Sequence, residues 1–169
     1  MTIEIPLKYK RKPASQDEIN LYCLVGEALC MVQYLEDILS HSITLKKEVK
    51  KPLSMPVQKA NEFLEEYRKY TLGRAIKLAK KEGIYSEELQ QSLDNFLSER
   101  NWLVHKCMPQ NREDMYSETN KFKLFHKIKS ITENAHILLE SIETDLINCS
   151  LSNGLDMSNV KAVIQQYYE

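Results

Sequence analysis

Six apolar residues, Leu124, Ile128, Ile131, Ala135, Leu138 and Ile142, recur toward the C-terminal end of the chain in alternating steps of four and three. That spacing keeps them on one side of an α-helix, whereas a strand would demand a period of two. It predicts a long helix over about 118–150, packed nearly parallel or antiparallel to its neighbours along a heptad-like seam.

The segments before the seam read as those neighbours. Ser15 and Glu18 form a capping box that starts a first helix, which runs to about Ser42. It is apolar nearly all round between Leu21 and Leu35, as expected of a helix at the centre of a bundle, with Cys23 and Cys30 as core residues. A lysine-rich, Pro-interrupted connection, TLKKEVKKPLSMP, leads to a second helix near Pro56 with Phe63, Leu64 and Tyr67 on one face. The stretch KYTLGRAIKLAKKEG either continues that helix or restarts it at Thr71, because Gly73 weakens its middle, and Gly83 is a good stop. Ser86 caps a third helix, with Glu87 and Glu88 in its first turn, extending to His105 or Lys106 ahead of Pro109. After the long helix, SLSNGLD is a turn and Met157 to Tyr168 a short last helix with Val160, Val163, Ile164 and Tyr167 inward.

With 169 residues the chain has room for one domain, and four glycines with five prolines are too few for a turn-rich sheet fold. The expected fold is all-α: an up-down bundle of four main helices plus a short C-terminal helix over residues 15–169. Residues 1–14 form a basic arm carrying Lys8, Lys10, Arg11 and Lys12 that reads chiefly as a solvated tail.

A formal net charge of −1 supplies no global attraction to nucleic acid or anionic membrane, so any RNA contact must come from a local patch. The four cysteines, Cys23, Cys30, Cys107 and Cys149, form no C-x-x-C pair and have no ligand-spaced histidine, which argues for reduced thiols and against a zinc site. No metal or cofactor is expected. MTIEIPLKYKRKP has no h-region with a small-residue cleavage site, and Leu21 to Leu35 falls short of the ~20 residues that span a bilayer. These features read as a cytoplasmic protein without a membrane partner.

Within SERNWLVHK, Arg100 falls in the apolar sector shared by Leu89, Leu93, Phe96, Leu97, Leu103 and Val104, while Asn101 and His105 lie on its flank. A structural reading pairs the guanidinium with a carboxylate on a neighbouring helix, Glu27 or Glu36, or lets the side chain snorkel to water. His105 suits a helix C-terminus without any chemistry. Together, however, an arginine fork and a histidine suffice to cleave RNA without a metal. The histidine takes a proton from the 2′-hydroxyl and the arginine stabilises charge on the attacked phosphate. Five residues turn the two side chains about 140° apart on one helix, so they do not naturally converge; two copies related by a two-fold axis could combine them in one cleft.

Arg100-Asn101-Trp102-Leu103-Val104-His105 resembles the signature of the HEPN (higher eukaryotes and prokaryotes nucleotide-binding) domain: an arginine, a polar residue, then a histidine, late in a helix of a small all-α bundle. The organisation matches over roughly residues 15–150; the specific part is this motif. The resemblance implies a metal-independent endoribonuclease acting as a homodimer in toxin–antitoxin or antiviral defence, with an antitoxin or regulatory protein as partner. It implies Arg100 and His105 as catalytic and Asn101 as polarising or positioning; beside them, the reading of the residues takes Glu27 and Lys106 as supporting or substrate-binding. One branch of the family carries a tyrosine two residues past the histidine, where a partner antitoxin nucleotidylates it; this chain has Cys107. Other members are non-catalytic binding or regulatory modules, which is the alternative reading. The expected interface comprises the third helix and a face of the long helix.

Overall fold

A computed structural model of the protein describes residues 13–51, 53–111 and 113–158. The basic arm up to residue 12 and all but the first two positions of the last expected helix lie outside the described residues. Those described form an all-helical structure with no strand. Its α-helices are α1 (Gln16–Ile43), α2 (Val57–Tyr67), α3 (Leu72–Lys81), α4 (Glu87–His105), α5 (Cys107–Gln110) and α6 (Glu118–Ser152). A π-helical turn (Thr44–Val49) extends α1, and a 3₁₀ turn (Asp114–Tyr116) precedes α6.

Local chemistry sets the helix starts. The capping box is present at α1: the Ser15 N–H donates to Glu18 Oε2 at 2.7 Å and the Glu18 N–H to Ser15 Oγ at 3.3 Å. The second segment does restart, because Thr71 adopts an extended conformation and its hydroxyl accepts the Arg74 N–H. α2 and α3 are therefore separate helices. Ser86 caps α4 in the same way through the Leu89 N–H.

The seam organises the core. Leu124, Ile128, Ile131, Ala135, Leu138 and Ile142 are all buried, and α1 lies along them through Leu21, Ala28, Val32, Leu35 and Leu39. Burying one Leu or Ile contributes about 1.5–3 kcal/mol, against about 1 kcal/mol for a cap, so this seam outweighs the local signals. α3 and α4 close the core with Leu72, Ile76, Leu93, Phe96 and Leu103. Where α1 passes into the π-turn, Lys46 donates to the Ile84 carbonyl at 3.0 Å and pairs with Asp145, tying that turn to α6.

Two expectations about α1 are corrected. It is buried on one side only, and Cys23 and Cys30 are exposed. At about 100° per residue both fall opposite the line of Leu21, Ala28 and Leu35. Ile19, Tyr22, Gly26 and Tyr34 share their outer face, with Tyr34 61% exposed. A helix that is apolar all round carries no periodic signal for which side its neighbours cover.

Candidate functional site

Arg100 lies in the buried sector of α4 but not in the core. α3 runs antiparallel to α4, so that Lys80 bonds Asp94 at 2.8 Å and the backbone of Gly73 approaches the Leu97 side chain. Past this level α4 outruns the cover of α3. Leu97 is half-buried, the Arg100 side chain is 20% exposed, and Val104 is 42% exposed.

The guanidinium is only partly occupied. Nη2 donates to Glu36 Oε1 on α1 at 3.3 Å and Nη1 to Asn101 Oδ1 at 3.4 Å, both at the long end of hydrogen-bond range. Nε is buried with no hydrogen-bond partner among the described residues. Arginine's carboxylate is thus Glu36 and not Glu27. The two glutamates are nine residues apart, about 180° around α1, and Glu27 is on the exposed face.

His105 is the last residue of α4 and is exposed. Asn101 stands one turn before it on the same exposed side, at the i, i+4 spacing that brings side chains within about 5–6 Å. The structure therefore brings Arg100 to Asn101, while His105 lies outside the groove that those two residues line. Lys106 is exposed and ends the helix, its N–H donating to the Trp102 carbonyl at 2.9 Å. Cys107, where the HEPN branch has its tyrosine, is buried, and burial pushes its thiol pKa up. Trp102 faces away from the groove and carries Lys127 Nζ 3.6 Å above its ring.

The groove beside Arg100 was not legible in the motif. It lies between the first turns of α3 and the end of α4, has a volume of about 480 Å³, and is lined by Thr71, Gly73, Arg74, Lys77, Leu97, Arg100 and Asn101. The signal that marks it is charge: α3 is LGRAIKLAKK, with four cations and no carboxylate, in a chain of net charge −1. The opposite side of α4 differs. There a cleft of about 530 Å³ against α6 is lined by serines, Asn95, Asn134, Glu88 and Glu99, and the Asn134 amide donates to Glu99 at 3.0 Å. A third cavity, about 720 Å³, has a mixed lining, with Tyr22, Met108, Met115 and Tyr116 beside Asp17, Glu18 and Asn111.

The seam of α6 is consumed by α1, and the outer face of α6 is largely polar around Ile137 and Phe122. Among the described residues no three His, Cys, Asp or Glu side chains gather as metal ligands, and no helix is long and apolar enough to cross a membrane. Comparison with family models, curated proteins and solved structures returns no match for this chain.

Proposed function

We propose that this protein is a HEPN-like, metal-independent endoribonuclease that works as a cytoplasmic homodimer in toxin or antiviral defence, regulated by an antitoxin-like partner. In this reading α2 and α3 together form one arm of an up-down bundle of four main helices. The observation that carries the proposal is the accessible end of α4, where a partly free guanidinium, Asn101 and His105 follow one another within two turns.

The chemistry asks for two groups. His105 accepts the 2′-hydroxyl proton as the 2′-oxygen attacks phosphorus, Arg100 stabilises the charge on the non-bridging oxygens, and the P–O5′ bond breaks as the 5′-oxygen takes a proton from water, His105 later returning its own to solvent. The products are a 2′,3′-cyclic phosphate and a 5′-hydroxyl. Since the two side chains diverge on one helix, the cleft takes Arg100 and His105 from two copies. The outer face of α1, where Ile19, Tyr22, Cys23, Cys30 and Tyr34 are exposed around Gln33, is the largely apolar surface offered to the second copy.

A non-catalytic binding module is the second reading, favoured by the Arg100–Glu36 bond, which spends part of the guanidinium on the protein itself. RNA cleavage in chelator, comparing wild type with His105→Ala, separates the two. Cyclic-phosphate product that the substitution removes supports the ribonuclease; cleavage by neither protein supports the binding module.

A further inference from the structure

We propose that the α3–α4 groove is a phosphate track that holds the backbone of single-stranded RNA next to Arg100, with Arg74 and Lys77 as its outer binding residues. The inference rests on the reading of this end of α4 as an RNA site and names how the strand is held there.

Three cations, Arg74, Lys77 and Arg100, line one groove together with Asn101 and Thr71. Arg74 and Lys77 are exposed, and neither forms an ion pair with a described residue. No carboxylate lines the groove, and on the neighbouring helices Glu36 pairs with Arg100 and Asp94 with Lys80 at 2.8 Å. With Glu36 offsetting Arg100, the groove keeps a net positive charge from Arg74 and Lys77 in a chain of net charge −1, and an exposed positive groove concentrates anions.

The geometry favours an extended strand over a lone phosphate. Arg74 and Lys77 are three residues apart on α3, so they stand about 5–6 Å from one another on one helix face. Across the groove, Arg100 and Asn101 come from a different helix. That gives phosphate contacts in a row along α3, leading to the guanidinium. Arg74 is further held over the Tyr70 ring, with Cζ 3.6 Å from the centroid, which restrains its guanidinium at this end of the groove. The floor is apolar Leu97, which competes for no hydrogen bond and leaves room for a ribose or base edge.

The test is binding of a fluorescein-labelled 2′-O-methyl oligouridylate, which keeps the phosphates but cannot be cut by 2′-oxygen attack. Anisotropy is read across a salt series in chelator, with the full chain. Each single-strand phosphate contact contributes a slope of about 0.7 in log affinity against log salt. R74Q/K77Q should lower the slope by about 1.4 and weaken binding at low salt by about tenfold or more. K59Q/K129Q, which removes the same charge from exposed positions on α2 and α6, should leave the slope unchanged. The proposal is overturned if wild type does not bind, if R74Q/K77Q matches wild type, or if the control loses as much. Full displacement by AMP would make the ligand a mononucleotide and overturn the strand assignment. Cleavage of ordinary RNA is scored separately: an active nuclease whose R74Q/K77Q variant binds normally defeats the track alone, whereas binding lost in R74Q/K77Q without any cleavage defeats the nuclease alone.

Discussion

Arg100 Nη2 on α4 donates to Glu36 Oε1 on α1 at 3.3 Å, joining helices whose residues are 64 positions apart in the chain. Both side chains are partly exposed, 20% and 28%, so the pair lies between a surface bridge worth about 0–1 kcal/mol and a buried one. Arg100→Ala should cost about 1–2 kcal/mol, and a double-mutant cycle with Glu36→Gln should return a coupling of about 0.5–1 kcal/mol from urea unfolding. Glu36→Gln alone should strengthen oligonucleotide binding, since it releases the guanidinium. A coupling of zero would mean that the bond holds nothing together.

The His105 side chain is exposed and bonded to no described residue, so His105→Ala should unfold at the wild-type urea midpoint. If it is the general base, cleavage should fall by about 10²–10⁴. Arg100→Lys should recover little, because the ammonium lacks the bidentate fork. Loss of cleavage on adding chelator, with His105→Ala fully active, would sink the mechanism.

Thiol reactivity tests the sidedness of α1. Cys23 and Cys30 should react with a chromogenic disulfide in the native protein, whereas Cys107 should react only after unfolding. Burial raises the Cys107 pKa above its unfolded value. The sign follows: its contribution to stability is complete below the ordinary thiol value of about 8.5 and is lost as pH rises through the higher folded value. Cys107→Ser should flatten that alkaline loss. C23A/C30A should change stability by less than about 0.5 kcal/mol, the range for surface changes.

Ile128 and Ile137 sit on opposite sides of α6, the first fully buried and the second 58% exposed. Ile128→Ala should therefore cost about 2–5 kcal/mol, and Ile137→Ala within about 0.5 kcal/mol. Equal losses in denaturant midpoint would contradict the observed packing of the seam.

Self-association should depend on the outer face of α1. Tyr34→Glu places a charge on that face without touching the core, so the chain should stay helical by circular dichroism while sedimenting as a monomer. A variant that remains dimeric would move the interface elsewhere.

The caps and the seam were legible because each is written in local spacing. Ser15 with Glu18, Thr71, Ser86 and the four-three repeat through Ile142 need nothing beyond their own helix to be read. The spacing of Arg100, Asn101 and His105 at the end of α4 was readable for the same reason. Three properties were not. An apolar-all-round α1 leaves its covered side open, so the exposure of Cys23 and Cys30 waited on where α6 lies. Glu27 and Glu36 are equivalent in sequence and half a turn apart in space, so the partner of Arg100 depended on how α1 is rotated against α4. Arg74 and Lys77 belong to a cationic helix whose neighbour is set by long-range burial of Ile76, Leu93 and Phe96. Local patterns decide which segments are helices; the burial of those patterns against one another decides which faces meet, and with them which charges share a groove.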